Sequence, residues 1–175
     1  MVILIGGASH TGKTSVSQKL LEKLHYPYVS IDHLKMGLIR SGQTPLTPED
    51  DAQLEEYLWP IVREMVKTAV ENRQNLIVEG AYIPANWRQS FSDEYLPHIR
   101  CVFLIMTGEY IDTHFADIRR YANVVEARLD DSSLTAQWLK EENEDYFRQC
   151  VTHGCDYILI DKEYSVTAEA VEAFL

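Results

Sequence analysis

Eight residues near the start of the chain, Gly7-Ala8-Ser9-His10-Thr11-Gly12-Lys13-Thr14, carry the most specific chemistry in the sequence. Two glycines bracket four residues, and a lysine and a hydroxyl follow. Glycine reaches backbone conformations closed to other residues and lets the chain approach a ligand closely. Successive N–H groups in such a loop form an anion-binding nest, and the helix that follows adds the positive end of its dipole. The spacing GxxxxGK[ST] is that of a loop cradling a nucleoside triphosphate. Gly7, Ala8, Ser9, His10, Thr11, Gly12, Lys13, Thr14 and Ser15 are therefore the candidate nucleotide contacts. Lys13 neutralises β- and γ-phosphate charge, and the Thr14 hydroxyl suits Mg²⁺. His10 reads as a tolerated filler, because the backbone does the binding there. The plainer alternative is an ordinary glycine-rich strand–helix turn. The context favours the nucleotide: an apolar run, VILI at 2–5, precedes the motif and a helical pattern over 14–24 follows.

Loops of this kind need a sheet edge to sit on. Four further apolar runs read as buried strands: YVSI at 28–31, LIVE at 76–79, CVFLIM at 101–106 and YILI at 157–160. Most are continuous rather than alternating, as in parallel strands covered on both faces. Between them lie helical patterns, the clearest at 48–72, where apolar residues recur from Leu54 to Val70 at i, i+3, i+4 and i+7 spacing. Thr47 is its expected N-cap, Pro48 its first helical residue, and Pro60 its expected kink. Further helices are expected at 109–120, 134–153 and 166–174, and in part of 85–97. The alternation predicts an α/β fold: a five-stranded parallel sheet sandwiched by helices, in one domain over 1–175. Ligands in such folds gather at the carboxyl ends of the strands.

Two acids fall at that edge. Asp32 follows the second strand, where a carboxylate can orient an acceptor hydroxyl or take its proton. It also reads as the N-cap of a helix over 33–40. Glu79 ends the third strand, where it can orient Mg²⁺-bound water, bind an acceptor, or simply face solvent. Gly80 lets the chain turn beside a ligand.

The bulk numbers exclude other classes. Of 175 residues, 46% are hydrophobic, enough for a core without metals or disulfides. Sixteen basic against 27 acidic residues give a charge of -11, a poor general face for nucleic acid or anionic lipid. The three cysteines, Cys101, Cys150 and Cys155, show no disulfide framework and point to a reducing cytoplasm. No signal peptide or membrane span is expected. Neither Asp-x-x-Gly nor Asn-Lys-x-Asp is present, which argues against a GTPase. The chain is also short for an AAA-type ATPase with its extra helical domain.

On the P-loop at 7–14, SIDHL at 30–34, LIVEGAYIP at 76–84 and the arginine-bearing segment 119–128, the sequence resembles the P-loop small-molecule kinases. These include shikimate, gluconate and adenylate kinases. Within that group it is similar to chloramphenicol phosphotransferase, 2-phosphoglycerate kinase-like and zeta-toxin-like proteins. The resemblance implies a P-loop NTPase of nucleoside- or shikimate-kinase type with a short lid at about 119–133. It implies ATP and Mg²⁺ as cofactors, with Thr14 and Glu79 at the metal. The partner is a small-molecule acceptor, with no nucleic acid or membrane, and the chain acts as a monomer or homodimer. Asp32 becomes the general base or acceptor ligand, and 80–88 lines the acceptor pocket through Tyr82, Trp87 and Arg88. Arg40 suits a phosphate-bearing acceptor. One or more of Arg119, Arg120 and Arg128 reaches the transferring phosphoryl group; ordinary ion pairs on an exposed helix are the alternative. EGAYIPANWR stands where adenylate kinases carry DGFPR, which counts against AMP. A nucleotide-operated NTPase or regulatory module without an acceptor is the competing class.

Overall fold

The structure, a computed structural model, describes residues 1–121 and 134–175. Five parallel strands form one sheet: β1 (Val2–Gly7), β2 (Tyr28–Ser30), β3 (Leu76–Glu79), β4 (Ile99–Met106) and β5 (Asp156–Ile160), in spatial order β2-β3-β1-β4-β5. The helices are α1 (Lys13–Leu24), α2 (Ile31–Arg40), α3 (Asp51–Glu71), α4 (Gly108–Tyr121), α5 (Ala136–His153) and α6 (Ala168–Glu172).

The continuous apolar runs have the expected cause. Side chains alternate faces along a strand, so Val2 and Leu4 join one core while Ile3 and Ile5 join another. The first core holds the apolar stripe of α3, from Leu54 through Leu58, Val62 and Val66, together with Ile31, Trp87 and Phe91. The second holds Val16 and Leu20 of α1, Ile111 and Ile118 of α4, and Val171 of α6. All five strands end at the same edge, so the segments leaving Gly7, Ser30, Glu79, Met106 and Ile160 share it.

Several boundaries differ from expectation. α3 begins at Asp51 rather than Pro48, because the Asp50 carboxylate accepts from the Thr47 N–H and hydroxyl at 2.8 and 2.9 Å and closes a turn ahead of the helix. Pro60 lies within α3 and faces solvent. α2 starts at Ile31, which places Asp32 in its first turn instead of at the cap. The 85–97 region holds only two 3₁₀ turns, Trp87–Ser90 and Leu96–His98. There the buried rings of Trp87 and Phe91, 6.2 Å apart, anchor an irregular path. All three cysteines are buried free thiols. No helix among the described residues is long and apolar enough to cross a membrane.

α5 is fastened to the sheet by one buried side chain. Asn143, 1% exposed, accepts the Met106 N–H at the end of β4 (2.7 Å) and donates to the Leu139 carbonyl (2.8 Å). Asn143→Ala strands that N–H away from water, so urea denaturation is expected to show a loss of about 1–3 kcal/mol with an unchanged m-value.

Candidate functional site

The loop between β1 and α1 is shaped by close backbone contacts. Gly7 has φ +119°, and a Cβ there would lie 2.2 Å from the Leu104 carbonyl oxygen, so only glycine passes this point. Gly12, at φ +87°, is covered by the Tyr164 ring; a Cβ would meet its hydroxyl at 1.9 Å. That hydroxyl donates to the Thr11 carbonyl at 3.2 Å and braces the loop from outside. His10 takes a left-handed conformation, φ 63°. Within the loop, the Thr11 hydroxyl and the Lys13 ammonium both donate to the Ala8 carbonyl, at 2.8 and 2.6 Å. Lys13 is 8% exposed, so its charge is held inside the loop rather than in solvent. α1 begins at Lys13, and the amides of a helix's first turn point out of its amino end. The loop therefore combines a buried cation, a helix N-terminus and a run of backbone donors, which is the chemistry a polyphosphate needs.

At the tip of β3, Glu79 is 1% exposed and accepts from the Thr14 hydroxyl at 3.2 Å. A hydroxyl and a carboxylate are hard oxygen donors of the type Mg²⁺ takes when phosphates and water complete its shell. The described residues contain no cluster of three or more His, Cys, Asp or Glu able to hold a metal unaided. The pair fits a metal that arrives with a nucleotide.

Beside Glu79 the chain turns at Gly80, where a Cβ would lie 2.8 Å from that of Ile31. This close approach brings Tyr82 over the start of α2. Asp32 and Lys35 form an ion pair at 2.7 Å, Lys35 donates to the Tyr82 hydroxyl at 3.1 Å, and that hydroxyl donates to Asp51 at 2.7 Å. Burial, then the hydrogen bond to Asp51, pushes the Tyr82 phenol far above its usual range. It is a fixed neutral donor at any working pH.

Two contributors carry no motif. Glu142 of α5 reaches the P-loop, where its carboxylate accepts from the Ser9 N–H at 3.0 Å and the Ser9 hydroxyl at 3.1 Å. Burial raises its pKa; the charge of Lys13 and the two Ser9 bonds pull the other way. One turn on, the Tyr146 hydroxyl donates to the Ala81 carbonyl. Neither is legible from local spacing, since Glu142 lies 133 residues from Ser9.

The other expected residues are placed less centrally. Arg88 donates to the Gly154 carbonyl at 3.1 Å and lies 3.9 Å from Asp156, at the amino end of β5 and so at the opposite edge of the sheet. Its neighbour Trp87 is buried in the core. Arg40 is exposed in the last turn of α2, and Arg119 and Arg120 are exposed in the last turn of α4. Arg128 and most of the expected lid lie outside the described residues. Ser15 is half-buried in the first turn of α1.

A model of the AAA domain family matches residues 2–107, from β1 through β4. The chain belongs to the AAA domain family. The family name by itself assigns neither an ATPase activity nor an acceptor. No curated protein matches the chain. Among solved structures, this AAA domain protein is similar to a gluconokinase from Sinorhizobium meliloti 1021, with TM-score 0.55 and 16% identity over 98% of this chain and 89% of that one. It is also similar to a shikimate kinase from Bacteroides thetaiotaomicron (TM-score 0.54, 19% identity, 99% and 92% coverage). A deoxyadenosine kinase from M.mycoides aligns as well (TM-score 0.54, 13% identity, 99% and 96% coverage). The fold is that of the P-loop small-molecule kinases, as the resemblance implied.

The electrostatics of Glu142 give a pH prediction. Its folded-state pKa is raised, so its contribution to stability is intact below about pH 4.5 and is lost as pH rises through the raised value. Glu142→Gln removes that loss. The difference in Tm, variant minus wild type, is expected to be more positive at pH 8 than at pH 4; the opposite trend would contradict this account of the carboxylate.

Proposed function

We propose that this protein transfers the γ-phosphate of ATP, as its Mg²⁺ complex, to a hydroxyl or phosphate of a small molecule in the cytoplasm. One observation carries the reading. The sheet edge joins a P-loop with a buried lysine to a second polar assembly, Asp32–Lys35–Tyr82–Asp51, that the nucleotide motif itself does not require. A pure nucleotide switch needs the first; a transferase needs a place to hold an acceptor as well.

In this reading Lys13 and the loop amides hold the triphosphate and offset charge in the loose transition state. Thr14 and Glu79 would hold Mg²⁺, which would offset negative charge on the triphosphate. Asp32, fixed by Lys35, orients the acceptor, and the turn through Gly80 to Tyr82 forms one wall of its pocket. Arg40 lies at the far end of the same helix, where it would meet a phosphate-bearing acceptor. Arg119, Arg120 and Arg128 are the candidates for closing over the transferring group, since guanidinium stays charged and bonds oxygens in pairs.

The test is ADP release from ATP and Mg²⁺ across gluconate, shikimate, glucose, deoxyadenosine, 2-phosphoglycerate and AMP. At least one acceptor is expected to raise turnover well above the background. Asp32→Asn is expected to raise the acceptor KM by about tenfold or more while ATP still binds, because a hydrogen bond to a charged group is worth about 1.5–3 kcal/mol. ATP turnover indifferent to every acceptor would instead favour an NTPase module of the kind the AAA match allows.

A further inference from the structure

Glu142 occupies a place that neither the P-loop nor the Asp32 assembly explains. Its two carboxylate oxygens are bonded to Ser9, whose neighbour Ala8 receives the Lys13 ammonium at 2.6 Å. The carboxylate therefore sits at the end of the loop where the lysine acts on the γ-phosphate. The charged and titratable groups facing it are Lys13 from α1, Asp51 from α3 and Tyr146 on its own helix.

It is held there firmly. Asn143, the next residue, ties α5 to Met106 of β4, and Tyr146 ties it to Ala81. These ties fix the backbone that carries Glu142 beside the loop, and the two Ser9 bonds hold its carboxylate. A carboxylate kept beside a γ-phosphate is costly unless its remaining acceptor capacity is used. An ionised carboxylate offers about four lone-pair sites, and Ser9 takes two. An acceptor hydroxyl would bond one of the others, and Asp51, whose charge acts on Glu142, links this carboxylate to the Asp32 assembly through the Tyr82 hydroxyl at 2.7 Å. Asp32 is engaged by the Lys35 ammonium at 2.7 Å, an arrangement suited to positioning.

We propose that Glu142 takes the proton of the acceptor hydroxyl as the phosphoryl group moves. This rests on the kinase reading above. The acceptor O–H bond breaks and its proton passes to a Glu142 oxygen. The acceptor oxygen forms a bond to the γ-phosphorus, and the bond from that phosphorus to the β–γ bridging oxygen breaks. The electron pair leaves with ADP. Nothing is oxidised or reduced.

Glu142→Gln separates this from a structural role. The glutamine carbonyl can still accept the Ser9 N–H and its amide can donate to the Ser9 hydroxyl, so the clamp on the loop is retained while the proton acceptor is lost. With the acceptor that gives the highest wild-type turnover in the panel above, the variant is expected to lose about 10²–10⁴-fold in kcat. Its affinity for ATP by calorimetry is expected to be unchanged or tighter, since the loop amides are unchanged and a negative charge beside the γ-phosphate is removed. Wild-type kcat is expected to fall as pH is lowered through the raised pKa of Glu142, and that fall is expected to vanish from the residual activity of the variant. A variant within about threefold of wild-type kcat, or one slowed with the same pH profile, overturns the assignment while leaving the kinase reading intact. So does an acceptor that is itself a phosphate, which has no hydroxyl proton to give. Absence of acceptor-dependent turnover in the wild type overturns both.

Discussion

The contact on which the site depends is the passage of Gly7 against the backbone of Leu104. β1 runs through the centre of the sheet with both faces buried, and it must leave the edge between β3 and β4 without pushing them apart. A side chain at Gly7 would strike the Leu104 carbonyl oxygen at 2.2 Å. With glycine there, the chain folds back over the strand ends and Ala8 presents its carbonyl to Thr11 and Lys13. That carbonyl draws in two donors and turns the loop into a ring with a cation inside. Gly80 plays the matching part on β3, where its close approach to Ile31 lets Tyr82 lean over α2. Two missing side chains thus bring the P-loop and the turn from Gly80 to Tyr82 to one edge.

The charges around this edge divide the work. Lys13 is buried within the loop, and Lys35 is shared between Asp32 and Tyr82. Glu79 meets the Thr14 hydroxyl, and Glu142 meets Ser9. In a chain with a formal charge of -11, Lys13 and Lys35 bring positive charge to this edge.

Much of this was legible in the sequence because it is local. The P-loop spans eight consecutive residues, and strand runs with no polar alternation announce a sheet covered on both faces. Asp32 and Glu79 could be placed at the carboxyl edge of the sheet because each directly follows or ends such a run. Contacts between distant segments left no periodic trace. Glu142 looks like one acid among several in an exposed helix until the fold brings α5 across the loop. Tyr164 looks like a loop residue until its hydroxyl is found above Gly12. Arg88 shows the converse: it follows the acceptor-side segment in sequence, yet the chain crosses to the far edge of the sheet within a few residues of Tyr82 and takes the guanidinium to Gly154. The start of α3 was misjudged because Thr47 and Pro48 are good helix openers, whereas Asp50 bonds back to Thr47 and delays the first turn.

The central claim is that the ring of backbone donors closed by Lys13 binds a triphosphate. Calorimetric titration of the protein with a non-hydrolysable ATP analogue and Mg²⁺ tests it most directly, with Lys13→Ala in parallel. The account predicts saturable one-site binding by the wild type and a loss of at least about tenfold in affinity for the variant, the least expected when a buried charge-assisted contact is removed. No heat of binding in the wild type, or equal affinity in the two proteins, would contradict it.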